Sequence, residues 1–539
     1  MTTRNASFAM HRALAVPELL RMILDHAGGE QPYLPALLAF ALTCHAFLEP
    51  ALDIIWHFQN GLGHLVECLP EEFWEASESA QVPLIPRKPN KHTTPQDWER
   101  FDFYGQRVRE LQCGPSSSLG HASRAISDDL FFWLVSSRPH CPLLPALRKL
   151  LWTENSTYGY FDSAHVFFGQ QLSALNIDKC TPNSKYSSDV ITPILLHLTQ
   201  RSPDIRELRI CIVVDSMDGT QPGPFPDKAF ASLQRLESLT LISEVPLSFN
   251  SLADLATLPH LAQLHLAADS NPILSAVPNH TNTSHLTFPS LSELLLQSVS
   301  MGSSAEFLSA CRFPNLKVAS IRSTGASDPA TVDRTLQLLC ERCSRGVLEE
   351  FDVTSGQDAD VEEEGAQAVT MESLRRLCDF RRLRSFSLLT EMCIVLDDDA
   401  VRELAVSWPR MEYLEFYSTA MHPWGQPTAT TLQGLAHFAR YCPLLGSLTI
   451  DVDTSDADVS LHERPGGGYC NRALRTIDFG QSPSLGSPAK VAAFLFAIFP
   501  DLAEVNEEND TLVGESWQPV RETYQVLRLA RHWRKQAGG

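Results

Sequence analysis

The residues best suited to chemistry at short spacing are two cysteines, in Cys340-Glu341-Arg342-Cys343. A zinc or dithiol site at that spacing needs a second thiol pair or a histidine beside it, and neither is near in the sequence. The two cysteines instead fall within an amphipathic helical pattern running from Val332 to Cys343. Gly466-Gly467-Gly468 is followed by Tyr469 and Cys470 rather than by Lys and Ser/Thr, so it lacks the groups that cradle a phosphate. Asp397-Asp398-Asp399 stands where a helical pattern begins, and helix capping with dipole compensation accounts for three acids there. The histidines are scattered without metal-ligand spacing. The expectation is therefore a chain without catalytic residues, metal or cofactor, and one that is not an enzyme.

Composition narrows the class. A net charge of −21 over 539 residues opposes nucleic-acid binding, which needs cations to displace phosphate counterions. The longest apolar runs, Leu37 to Cys44 and Val491 to Phe499, are far shorter than a membrane span. No apolar leader core stands in the first ten residues, and thirteen cysteines lack framework spacing. These features predict a soluble intracellular protein with reduced thiols, cytoplasmic or nuclear, with no nucleic-acid or membrane partner. The Asn-x-Ser/Thr triplets at Asn5, Asn155, Asn279 and Asn282 are then chance matches.

Near the start of the chain, three helices are expected. Pro17 and Glu18 suit a first helical turn, and Val16, Leu19, Leu20, Ile23, Leu24 and Ala27 follow at helical steps before Gly28-Gly29. The second helix has Leu37, Phe40, Ala41, Cys44 and Leu48 on one face and Leu38 and Leu42 on another, and Pro50 opens a third helix that closes at Trp56. A unit this small has more apolar surface than it can bury. That surplus must meet either the rest of the chain or a partner.

The order Val-Pro-Glu-Leu-Leu at 16–20, then Leu-x-x-Ala-Leu-Thr-Cys-x-Ala-Phe at 38–47, then Trp56, resembles an F-box of the kind found in large fungal families. The likeness covers Ala13 to about Trp56, and the Gly/Pro-rich loop between Gly28 and Pro35 lacks the usual acidic-aliphatic entry to the second helix. What the resemblance implies is docking to the Skp-type adaptor of a cullin-RING ubiquitin ligase. The positions it would assign to the adaptor are Pro17, Glu18, Leu19, Leu20 and Ile23, with Leu38, Leu42, Cys44 and Phe47.

Beyond a Pro-rich linker at 82–95 and a capping helix from Asp97 to Leu111, the chain repeats itself. An apolar-x-x-apolar-x-apolar hexad starts at Leu147, Leu172, Ile205, Leu236, Leu261, Leu291, Leu316, Leu348, Leu383, Met411, Leu445 and Leu474, with steps from 25 (Leu147 to Leu172) to 35 residues (Leu348 to Leu383). Helical segments separate the hexads. Such units cannot hide their apolar stripes alone, so they must stack, with parallel strands on one side and helices on the other. A doubly wound sheet would not repeat one hexad this often. The pattern resembles irregular leucine-rich repeats, although an Asn or Cys ladder is hinted at only by Cys180 and Cys211. The predicted class is α/β: a helical F-box-like domain (1–75), a linker and capping helix (76–125), a leucine-rich-repeat solenoid with parallel strands on its concave face and helices on its convex face (126–510), and a basic C-terminal capping helix or tail (511–539).

Side chains alternate along a strand, so residues between the apolar ones should face outward. This reading places Arg209, His265, Glu293, Arg322, Asp352, Tyr413, Glu415, Tyr417, Asp451 and Asp478 on the concave surface. Its second half is acidic with two tyrosines, which suits a basic protein partner. The expected function is that of a substrate receptor in a ubiquitin ligase, with the F-box held by the adaptor and the array holding a protein substrate. A leucine-rich-repeat scaffold without a ligase is the alternative.

Overall fold

The computed structural model describes residues 34–76, 84–87, 93–113, 126–138, 142–154, 161–179, 191–212, 225, 227–228, 230–268, 272–275, 285–298, 300–325, 327–356, 368–419, 429–455, 464–480, 482, 486–506 and 517–537. Two compact units are present. One comprises residues 1–220 with 232–240, the other residues 221–231 with 241–539.

In the first unit, helix α1 (Leu34–Ala41) and helix α2 (His45–Ile55) pair through Leu37 and Phe47, with Phe40, Ile54 and Ile55 against them. Pro50 does not begin a third helix: it lies inside α2. Proline there removes the N–H that would bond the Ala46 carbonyl and crowds that carbonyl with its ring, yet the helix continues to Ile55. The chain then enters strand β1 (Phe58–Asn60), which pairs in parallel with β2 (Glu110–Cys113), and β3 (Lys149–Glu154), β4 (Ala174–Lys179) and β5 (Glu207–Ile212) follow in order. The repeat thus begins two strands before its first full hexad.

Two strand slots explain why the hexad count misses them. In β1, Gln59 takes the central position that Leu111 takes in β2, and its amide donates to the carbonyls of Ile55 and Phe58. In β2, Cys113 fills the third apolar slot, in register with Trp152 of β3. The segment expected as a linker carries order as well: Ile85–Pro86 pairs antiparallel with Trp74–Glu75, and Leu84 bridges to Ile126. The expected capping helix is shorter than predicted, running as a turn from Thr94 into α3 (Glu99–Gly105). Trp98 is buried there, stacked on Trp133 of α4 (Asp128–Ser137) with centroids 6.2 Å apart. Arg138 closes that contact, lying 4.5 Å over the Trp98 ring while bonding both Asp102 oxygens at 2.6 and 2.7 Å. Helix α5 (Ile191–Arg201) precedes β5.

The segment β6 (Ser238–Ser243) has residues in both units. Helical segments are expected between all the hexads, but before β6 the described residues Phe230 to Ser232 form only a bend and turn.

The second unit holds α6 (Phe249–Ala256) and then a parallel sheet in the order β7 (Gln263–Ala268), β8 (Glu293–Ser298), β9 (Val318–Ser323), β10 (Glu350–Thr354), β11 (Ser385–Thr390), β12 (Tyr413–Ser418), β13 (Ser447–Thr449), β14 (Thr476–Asp478) and β15 (Glu504–Asn506). Between the strands stand α7 (Met301–Ala310), α8 (Pro329–Arg342), α9 (Asp398–Ser407), α10 (Leu432–Tyr441) and α11 (Pro488–Ile498), and α12 (Gln518–Ala537) closes the unit. All twelve hexads of the sequence coincide with strands β3 to β14. This is the alternation of a leucine-rich-repeat fold, α/β throughout.

Registered apolar rows form the core. Leu264, Leu294, Ala319, Phe351, Phe386, Leu414, Leu448 and Ile477 occupy equivalent positions on successive strands and are all buried. Phe351, Phe386 and Phe416 touch ring to ring at 5.7 Å, with Trp408 at 5.5 Å from Phe386. Where the familiar repeat would carry asparagine, this unit uses hydroxyls. Ser298, Ser323, Ser355, Thr390 and Ser418 are buried two residues past the hexad. Ser298 donates to the Ser300 carbonyl at 2.8 Å, Ser418 to the Met392 carbonyl at 2.9 Å, and Thr390 accepts from the Met392 N–H at 3.2 Å. These bonds satisfy backbone groups that leave the sheet at each turn.

Two glycines and one asparagine lock neighbouring repeats. Gly356 sits at φ +72° against Glu391, whose carboxylate accepts from the Ser327 N–H at 2.7 Å and from the Ser355 hydroxyl at 3.0 Å. A Cβ on Gly356 would stand 2.0 Å from that carboxylate. Gly466, also left-handed, lets its turn lie against Ala436 and Ile498, which gives the triple glycine a packing role. Asn471 is buried and bonds the Cys442 and Leu445 carbonyls of one repeat and the Ala473 and Leu474 N–H groups of its own.

At the end of the unit, Trp517 stacks on Phe479 at 3.9 Å. The Tyr524 hydroxyl bonds both the Leu502 N–H and the Phe499 carbonyl, and Arg531 meets Asp501 at 3.0 Å. Helix α12 packs over the end of the sheet, with Arg531 turned toward the acidic turn at Asp501 and Arg528 on the Leu502 carbonyl.

Candidate protein interface

The outward face of the second-unit strands is the best candidate site. Neighbouring strands place three rows of side chains across it. The middle row, read from β7 to β15, is His265, Leu295, Ser320, Asp352, Ser387, Glu415, Thr449, Asp478 and Asn506. The row before it contains Glu293, Glu350, Tyr413 and Glu504, and the row after it Arg322 and Tyr417. Of the sequence-predicted residues, His265, Glu293, Arg322, Asp352, Tyr413, Glu415, Tyr417 and Asp478 thus share one sheet face. Arg209 is outward on β5 of the first unit, in register with Asn176.

Asp451 needs correcting. It is buried, its carboxylate accepting from the Ser482 hydroxyl at 3.3 Å, and it lines a small pocket with Ile394, Leu396, Phe416 and Ile450. The alternation that predicts it outward stops at Thr449, where β13 ends and the chain turns under the sheet.

Hydroxyls and a guanidinium hold the acids in place. The Ser320 hydroxyl donates to Asp352 at 2.7 Å, and Arg322 reaches the same oxygen at 3.2 Å. Ser387 donates to Glu415 from the adjacent strand. Tyr413 is 38% exposed and hydrogen-bonded to Glu415. Burial, then the charges of Glu415, Asp352 and Asp478, push its phenol up to about 12. At the outward positions of β10 to β15 there are Glu350, Asp352, Glu415, Asp478 and Glu504 but no Lys or Arg. The arginines at the rim are engaged nearby: Arg384 with Glu412 at 2.7 Å, Arg475 with the Asp501 carbonyl at 3.0 Å.

The second candidate is the helix pair of the first unit. Pro17, Glu18, Leu19, Leu20 and Ile23 lie outside the described residues. Leu38 is 46% exposed and Leu42 84%, beside an exposed Leu34, and Cys44 is exposed at the start of α2. Phe47 faces the other way: it is buried on Leu37 and stacked on Phe40 at 4.3 Å, because α1 and α2 use it as their shared core. That pair is also clamped to its own unit. Arg107 bonds Glu49 and Asp53 of α2 and covers the Phe103 ring at 4.7 Å, while Trp56 stacks on Tyr104 at 4.5 Å. The Arg107 contacts to α2 join residues more than fifty apart in sequence, so no local pattern announces them.

The thiols singled out at Cys340 and Cys343 are both pushed up to about 12 by burial, which disfavours the thiolate that metals and oxidants require. Among the described residues no three His, Cys, Asp or Glu side chains cluster as metal ligands, and no helix is long and apolar enough to cross a membrane. Asp397 caps α9 through the Ala400 N–H at 2.8 Å, and Asp398 receives the Thr431 N–H and hydroxyl at the start of α10.

No protein-family model and no curated protein matches this chain. Among solved structures, an internalin from Listeria monocytogenes aligns with a TM-score of 0.32 and 16% identity, over 64% of this chain and 83% of that one. A likeness at that level carries no functional argument, and the functional reading rests on the chain's own geometry.

Proposed function

We propose that this chain is a substrate receptor: the strand face of the second unit holds a protein partner, and the N-terminal helices dock a Skp-type adaptor of a cullin-RING ubiquitin ligase. The observation that carries the docking half is α1, whose Leu37 and Ala41 are buried while Leu34 and Leu38 on its other side, and Leu42 in the turn just past its end, are exposed. Exposed leucines at successive turns of one helix are what a helix-binding partner covers. The resemblance of the Val-Pro-Glu-Leu-Leu and Leu-x-x-Ala-Leu-Thr-Cys pattern to an F-box supports a Skp-type adaptor as that partner. In this reading the chain makes and breaks no bond itself, and modification of the held protein is done elsewhere in the complex.

The test is recovery of a purified Skp-type adaptor by the full chain, compared with Leu38→Asp plus Leu42→Asp. Loss of adaptor from the double variant, with unchanged circular dichroism, is the expected result. Equal recovery by both proteins, or none by either, removes the ligase reading. The second reading, a repeat scaffold whose first helices only cap the sheet, is favoured by the Arg107 clamp on Glu49 and Asp53.

A further inference from the structure

The outward face of β10 to β15 combines a charge, a spacing and a pair of rings. Its carboxylates do not crowd together. In the central row Asp352 is followed by Ser387, Glu415, Thr449 and Asp478, so acids alternate with hydroxyls from strand to strand. Strands in a sheet lie about 4.8 Å apart, which sets these three carboxylate positions at steps of about 9.6 Å. Glu415 has Tyr413 and Tyr417 two residues to either side on the same strand, and Tyr413 exposes part of its ring.

Those steps discriminate among backbone conformations of a ligand running across the strands. A polyproline II segment rises about 3.1 Å per residue with three residues per turn, so every third side chain returns to one side after about 9.3 Å. An extended β segment returns after about 6.7 Å. A helix matches at about 10.5 Å, but only with every seventh residue. Aromatic side chains flanking a groove are also how polyproline II ligands are held elsewhere.

Resting on the reading of this face as the capture surface, we propose that it binds a segment in polyproline II conformation bearing Lys or Arg at every third residue. The cations would meet Glu415, Asp478 and, beside its partner Arg322, Asp352, with Tyr413 and Tyr417 flanking the ligand where it crosses β12. Thr449, standing between the acids, offers a hydroxyl to the ligand's free carbonyl and N–H groups, while Ser387 keeps its own proton on Glu415 and can only accept. A nucleic acid or an acidic peptide is repelled by the same row.

The experiment is fluorescence anisotropy of the full chain with three labelled ten-residue peptides of identical composition. One carries lysine at every third position with prolines between, one at every second, and one as a contiguous lysine block. The first is expected to bind tightest, less tightly as salt rises. Glu415→Gln is expected to weaken it about 1.4- to fivefold, the span of one exposed ion pair, and Asp352→Asn with Asp478→Asn to weaken it further. Glu306→Gln on α7 should leave it unchanged. Equal affinity for all three peptides, no binding of any, or indifference to Glu415→Gln overturns the proposal. Capture of a cellular partner by wild type but not by Tyr413→Ala plus Glu415→Lys, with no peptide bound, would sink the lysine spacing alone; loss of neither would sink the capture surface with it.

Discussion

Removing Arg107 asks whether the N-terminal helices move with the sheet that follows them. Its side chain is only 10% exposed, bonds Glu49 and Asp53 at once, and lies over the Phe103 ring. Burial alone would lower its affinity for a proton, but the bonds and charges of the two carboxylates outweigh that and raise it. Breaking a fully buried pair costs about 3–5 kcal/mol and an exposed one about 0–1. Here the guanidinium is buried and the carboxylates are 59% and 37% exposed, so an intermediate figure of about 2 kcal/mol applies to Arg107→Ala. The core shared by α1 and α2 is small, resting on Leu37 and Phe47. The loss should therefore appear as local opening of these helices. Hydrogen exchange of the full chain, followed by mass spectrometry, should show residues 37–55 exchanging about thirtyfold faster, with β3 to β5 unchanged. Arg107→Lys should recover only part of the protection, since one ammonium cannot match the planar fork that meets two carboxylates. Unchanged exchange in 37–55, or an equal rise in the strands, would refute the clamp.

Tyr524→Phe removes a buried hydroxyl that serves both Leu502 and Phe499, and should cost about 1–3 kcal/mol, read as a lower midpoint in urea. The Tyr524 phenol is pushed up to about 12 by burial, against about 10 when unfolded. The folded state then holds a proton the unfolded chain has lost, so its stability contribution is full below about pH 10 and disappears as pH rises toward 12. Urea midpoints across that window should fall less steeply for Tyr524→Phe than for wild type. Gly356→Ala forces a left-handed backbone and a clash with Glu391, and should lower the melting temperature; adding Glu391→Ala should cost less than the two changes summed, because the clash is gone. Asn471→Ala leaves two carbonyls and two N–H groups of adjacent repeats without their partner and should destabilise by about 3 kcal/mol or more in the same denaturation assay.

The repeat was legible in the sequence because each strand needs the same local device, three apolar residues with polar ones between, and that device survives any change in loop or helix length. Twelve hexads located twelve strands and the side of each strand that faces the core, hence the outward placement of Asp352, Tyr413, Glu415 and Asp478. Where the device is altered, the pattern fails: Gln59 and Cys113 disguise β1 and β2, and an acid at Glu507 replaces the third apolar residue after β15. The rest depended on contacts between residues distant in the chain. Burial of Asp451 follows from a strand ending at Thr449, the burial of Phe47 from a helix pair needing a core, and the grip of Arg107 from two carboxylates more than fifty residues away. Local alternation dictates which way a side chain points within a strand, whereas only the stacked repeats decide what it meets there, because that neighbour arrives from another turn of the chain.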